Sequence, residues 1–120
     1  MNKIYYLSTC DTCKRIIAEL NLKERGFIFQ DIKTEKITSA QLDEMKEVVS
    51  SYEALFSKIA RKYKELNLAE RKLTENDFRN YILEEYTFLK RPVICIGNSV
   101  LVGNAKSTIN EAKLLLNHTK

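Results

Sequence analysis

The sequence predicts an α/β fold, a mixed four-stranded sheet with helices on its faces, and three observations predict it. The first third reads strand, helix, strand; the last third reads strand, strand, helix; the segment between, about Thr38 to Tyr86, is helical in pattern. No repeat, low-complexity tract or Pro/Gly/Ser-rich linker divides the 120 residues, so they read as a single domain, 1–120.

Lys3 to Leu7 is rich in Ile and Tyr and stops at Ser8-Thr9, as a short strand does. From Cys13 the apolar residues Cys13, Ile16, Ile17 and Leu20 recur at the spacing of one helix face, so a helix begins at the cysteines, and Gly26 ends that region. Phe27-Ile28-Phe29-Gln30-Asp31-Ile32 has the aromatic and β-branched content of a second strand. A connecting helix of about a dozen residues makes the two strands parallel, with a right-handed crossover. Cys10 and Cys13 then stand at the C-terminal end of the first strand.

Thr38-Ser39-Ala40-Gln41 has the form of a capping box, and Leu42, Met45, Val48 and Val49 follow at helical spacing. Tyr52 to about Arg71 also reads helical, with Leu55, Ile59 and Leu66 apolar and an interruption at Asn67. Thr74 with Asp77 caps a further helix through Tyr86. Val93-Ile94-Cys95-Ile96 and Val100-Leu101-Val102, separated by Gly97-Asn98-Ser99, form an antiparallel hairpin with a three-residue connection. Ser107 caps a last helix carrying Ile109, Ala112, Leu115 and Leu116, and the chain frays from His118 to Lys120. The resulting order is the thioredoxin-like (glutaredoxin-like) architecture.

A chain of this length buries roughly two-thirds of its surface on folding, so neither a metal nor a disulfide is needed for stability. With 44% apolar and 30% charged residues it reads as an ordinary water-soluble protein. The start of the chain carries one charge and few apolar residues before Ser8 and Thr9, so no secretory signal is expected and the location is cytoplasmic. No run of 18 apolar residues occurs, which excludes a helical membrane span. The net charge of +4 comes from 20 basic and 16 acidic residues interspersed along the chain, so no direct nucleic-acid contact is expected. The three cysteines, an odd count, do not form a disulfide scaffold in that compartment.

A thiolate attacks disulfides and oxyanions where a thiol hardly does, so a redox cysteine needs a pKa lowered from about 8.5. Cys10 at the helix start faces unpaired N–H groups and the positive dipole end, and Lys14 and Arg15 add cations. Cys13, one turn on, is placed to form a disulfide with it: Cys10 attacks and Cys13 resolves. Cys13 also begins an apolar helix face, so packing alone is the competing reading. Zinc needs about four ligands, and beyond the pair only Cys95 and His118 stand available, so no metal is expected. Cys95, in an apolar strand, is read as core without chemistry. Pro92, the only proline, sits at a strand entry after Lys90-Arg91, where the residues leave cis and trans open.

Strand, Cys10-Asp11-Thr12-Cys13-Lys14, helix, strand, a helical middle, Lys90-Arg91-Pro92-Val93 and Val100-Leu101-Val102-Gly103 together resemble the arsenate reductase (ArsC) and Spx family over nearly the whole chain. The resemblance implies a thioredoxin-like fold with an inserted helical subdomain and a cis Arg91–Pro92 bond. Members that reduce arsenate use one cysteine at the position of Cys10, a basic residue four later, a histidine four before and three arginines that hold the oxyanion. Lys14 keeps the basic position and Arg91 matches one arginine, while Tyr6 stands at the histidine and Ser57 and Gly103 at the other two arginines. These departures, and Cys13, move the expectation from arsenate reduction to a thiol-disulfide oxidoreductase. Lys14 and Arg91 then stabilise the anionic sulfur and a small oxyanion or disulfide substrate. No cofactor is bound, and glutathione, glutaredoxin or thioredoxin supplies electrons. The alternative that the resemblance carries is an Spx-type redox-sensing regulator that binds RNA polymerase, with Arg61, Lys62 and Lys64 toward an acidic partner.

Overall fold

Strands β1 (Lys3–Tyr6), β2 (Ile28–Asp31), β3 (Val93–Ile96) and β4 (Ser99–Val102) form one sheet in the order β2-β1-β3-β4. They belong to a computed structural model that describes residues 2–118; Thr119 and Lys120, where fraying was expected, lie outside the described residues. β1 runs parallel to β2 and antiparallel to β3, and β3 is antiparallel to β4, the mixed sheet that the βαβ and ββα patterns predict. The helices are α1 (Asp11–Leu20), α2 (Ser39–Val49), α3 (Arg61–Glu65), α4 (Glu75–Glu84) and α5 (Lys106–His118). Two compact units result, Met1–Glu35 with Arg91–Lys120, and Lys36–Lys90.

In the first unit Ile4, Ile94 and Leu101 stand in register across three strands. They pack with Ile16, Ile17 and Leu20 of α1 and Ile109, Ala112 and Leu116 of α5. Burying each large aliphatic contributes roughly 2 kcal/mol, so this cluster fixes α1, and the cysteines at its start, against the sheet. α1 stops earlier than Gly26. Asn21 takes the left-handed conformation at φ 60°, its N–H bonds to the Ala18 carbonyl at 3.2 Å, and the Leu22 N–H bonds to the Ile17 carbonyl at 3.1 Å. This is a Schellman stop, with Leu22 buried beneath it. Gly26, at φ 75°, instead belongs to the turn that leads into β2.

The β3–β4 connection is shorter than the expected three residues. Ile96 pairs with Ser99, leaving Gly97-Asn98, and Gly97 at φ 60° fills the first central position that favours glycine in a tight hairpin. Ser107 is likewise not the cap of α5, because the helix begins at Lys106 and its first turn closes from Ile109 N–H to the Ala105 carbonyl.

In the second unit both expected capping boxes form. The Thr38 hydroxyl accepts from Gln41 N–H and the Gln41 side chain accepts from Thr38 N–H, each at 3.0 Å. Thr74 and Asp77 repeat the arrangement at 3.2 and 2.9 Å. The long helix expected from Tyr52 to Arg71 does not form. Single 3-10 turns at Glu53–Leu55 and Leu68–Glu70 flank the five-residue α3. The reason is Phe56, which is extended, bridges Leu89 and lies at the centre of an aromatic cluster. Its ring is 4.8 Å from Phe78 and 4.9 Å from Phe88. Ser57 N–H to the Phe88 carbonyl (2.7 Å) and Lys90 N–H to the Leu55 carbonyl (2.9 Å) hold it there. The apolar spacing therefore splits: Leu55 is buried while Ile59 is 91% exposed. The helix expected through Tyr86 ends at Glu84, and the 3-10 turn Tyr86–Phe88 brings Phe88 into the aromatic cluster.

Candidate active site

β1 ends at Tyr6, and the chain turns at once: the Leu7 carbonyl accepts from Cys10 N–H at 3.0 Å, and the Cys10 carbonyl accepts from Lys14 N–H at 3.1 Å. Cys10 is thus the residue before α1, with extended backbone (φ −95°, ψ 113°). Asp31, paired with Tyr6 where the parallel strands end, fixes the preceding loop by accepting from Ser8 N–H at 3.4 Å and Lys33 N–H at 3.2 Å. Burial pushes its carboxyl up, but the Ser8 and Lys33 hydrogen bonds outweigh that and hold it below its ordinary value.

Both motif cysteines are free thiols, Cys10 half-buried and Cys13 fully buried. The Cys10 side chain makes no capping hydrogen bond. Burial disfavours its thiolate, yet the Cys13 N–H, the Cys13 thiol, the Arg91 guanidinium and the Thr12 N–H together outweigh burial and lower its pKa. The charged sulfur is therefore the natural acceptor for the orphan donors of the first turn. Cys13 moves the other way. Burial pushes it up to about 11, with the Cys10 sulfur adding to the rise while the Leu7 backbone and Arg91 oppose it. One sulfur of the pair is held toward the anion and its neighbour as the thiol that donates to it.

Arg91 enters through the Arg91–Pro92 bond, which is cis, and Gly103 N–H bonds to the Pro92 carbonyl at 2.9 Å. Of the residues singled out in the sequence, Cys10, Cys13 and Arg91 come together, and Arg91 is the cation that lowers the Cys10 pKa. Lys14 lines a cleft of ≈ 520 Å³ together with Tyr6, Ser8, Ile17, Ala18 and Phe29. Cys95 is half-buried rather than core, between the buried Ile94 and Ile96.

Gly103 occupies φ +91°, a conformation that an arginine would take only under strain. Tyr6 packs edge-on to Phe29 with centroids 5.6 Å apart. Ser57 is buried in the second unit. Among the described residues no group of three or more His, Cys, Asp or Glu converges as metal ligands, and no helix is long and apolar enough to cross a membrane. The Cys13 thiol and the Asp31 anchor were missed as electrostatic partners. The available signal for Asp31 was an acidic residue closing the second strand of a parallel pair beside the motif.

Residues 5–112 match the ArsC family. No curated protein matches the chain in sequence. Among solved structures, the arsenate reductase from Vibrio cholerae superposes with a TM-score of 0.78 at 17% identity, covering 92% of this chain and 95% of that one. An arsenate reductase (ArsC) related protein from Brucella melitensis superposes with a TM-score of 0.71 at 24% identity, covering 94% and 93%. Both share the thioredoxin-like fold described above.

Proposed function

The chain belongs to the ArsC family, and on that premise we propose that it is a thiol-disulfide oxidoreductase with Cys10 as nucleophile and Cys13 as resolving thiol. The observation that carries this reading is the opposite displacement of the two sulfurs, Cys10 lowered and Cys13 raised to about 11. The Cys10 thiolate attacks one sulfur of a disulfide R–S–S–R′, forming Cys10–S–S–R and releasing R′–S⁻, which the Arg91 charge favours. Cys13 then attacks the Cys10 sulfur. Its proton passes to the departing R–S⁻, R–SH leaves, and the protein holds a Cys10–Cys13 disulfide. A thiol reductant, either glutathione or a dithiol protein such as glutaredoxin or thioredoxin, restores both thiols.

A disulfide substrate is favoured over arsenate because Arg91 is the one anion-holding arginine the resemblance places here, and Gly103 sits where backbone conformation disfavours another. The test is a Cys13→Ser trap incubated with hydroxyethyl disulfide. A stable mixed disulfide on Cys10 in the variant, and a Cys10–Cys13 disulfide in the parent, support the roles. Adducts on neither protein contradict them.

One observation favours a second reading, a redox-sensing regulator that binds RNA polymerase. α3 buries none of its residues, and Lys58 to Lys72 carries six Lys and Arg against two Glu. In that reading an acidic protein surface meets Arg61, Lys62 and Lys64. RNA polymerase retention on the immobilised protein that changes between its reduced and oxidised forms supports it, and no retention in either form removes it.

A further inference from the structure

We propose that the cleft beside the cysteine motif is a substrate subsite that selects disulfides in which the half retained on Cys10 combines an apolar or aromatic body with a carboxylate. This rests on the oxidoreductase reading and specifies its substrate class. The cleft, ≈ 520 Å³, lies between α1 and the β1–β2 end of the sheet. Its size is that of a small-molecule site. Its floor is the edge-to-face pair Tyr6 and Phe29, with Ile17 beside them. Exposed Lys14 and Lys23 stand on its rim against the single carboxylate of Glu24, so the rim favours an anion.

Two of the cleft's lining residues, Ser8 and Lys14, flank Cys10 along the chain. Lys14 follows Cys10 by one helical turn, joined to it by the first hydrogen bond of α1, and Ser8 precedes it by two residues in the loop held by Asp31. A group bonded to the Cys10 sulfur and folded along α1 meets Lys14 first and the aromatic floor next. The chemistry is the exchange written above. The Cys10 thiolate displaces one half of the disulfide, the half that remains bonded to Cys10 lies in the cleft, and Cys13 releases it as a thiol. The protein is oxidised by two electrons and the disulfide is reduced to two thiols.

The experiment measures the reduced protein's reaction with three disulfides: dithiobis(nitrobenzoate), which is aromatic and anionic; dithiodipyridine, aromatic and neutral; and hydroxyethyl disulfide, small and neutral. Iodoacetamide alkylation of Cys10 in each protein normalises for the reactivity of the sulfur. Two variants change the cleft, Ala18→Trp to fill it and Lys23→Ala to weaken its charge. In Ala18→Trp the rates with both aromatic disulfides, relative to hydroxyethyl disulfide, fall about tenfold. In Lys23→Ala the rate with the anionic reagent relative to dithiodipyridine falls about threefold, a difference that added salt abolishes. Ratios unchanged in both variants overturn the subsite and leave the oxidoreductase reading standing. A Cys10 inert to all three disulfides in the parent protein overturns both.

Discussion

The reactivity of Cys10 depends on a small balance, because burial works against its thiolate and must be overcome by two N–H groups, a thiol and one guanidinium. Arg91 is the only full charge among those contributions, so it is the side chain whose removal is read most cleanly. Arg91→Met is expected to move the midpoint of Cys10 alkylation upward, toward that of an ordinary thiol, followed as iodoacetamide rate against pH. The sign follows from the reactive species. The thiolate fraction grows as pH rises through the pKa, so a higher pKa shifts the reactive range to higher pH. Lys14→Ala is expected to leave that midpoint in place, since Lys14 lines the cleft. Equal shifts in the two variants would contradict the assignment. The sequence made the motif and its helix-start position legible, but not which cation serves it. Lys14 is close in sequence, whereas Arg91 stands far along the chain, just before β3.

At the scale of elements, most starts were readable and several stops were not. Thr38 and Thr74 announce α2 and α4 because a hydroxyl three residues before a Gln or Asp satisfies two orphan donors locally. The end of α1 is different. Asn21 rather than Gly26 provides the left-handed residue, and asparagine is also common outside that role. Asn21→Ala is expected to lower stability by about 1 kcal/mol and Asn21→Gly to be neutral or slightly stabilising, by urea denaturation. The segment from Tyr52 to Arg71 misleads for a tertiary reason: Phe56 gains more in the aromatic cluster of the second unit than a continuous helix would offer it. Phe56→Ala is therefore expected to cost about 3–5 kcal/mol, and thermal unfolding measures it.

The whole chain leaves the sheet after β2, builds residues 36–90, and returns at Arg91 directly into β3. The βαβ and ββα halves were legible because their strands and core-facing residues follow simple periods of alternation and turn. The network that braces the second unit was not, since it joins residues far apart in sequence. Asp43 accepts from the Tyr52 hydroxyl at 2.6 Å and from two nitrogens of Arg79 at 2.9 and 3.2 Å. The Arg79 and Tyr52 hydrogen bonds hold the Asp43 carboxyl down to about 2, against an ordinary 3.8. Its folded-state pKa is depressed, so the contribution is complete above 3.8 and is lost as pH falls toward 2. Asp43→Asn is expected to flatten the acid limb of a stability-versus-pH curve in that window and to leave its shape above pH 5 unchanged, by chemical denaturation at stepped pH.

All of the proposed chemistry depends on the two sulfurs being held in opposite protonation states. The direct measurement is residue-resolved alkylation of the reduced protein across pH, with each cysteine read by peptide mass spectrometry. Cys10 is expected to titrate below an ordinary thiol, with Cys13 silent until the pH approaches about 11. Parallel labelling of both cysteines near 9, or labelling of Cys13 first, would contradict the account.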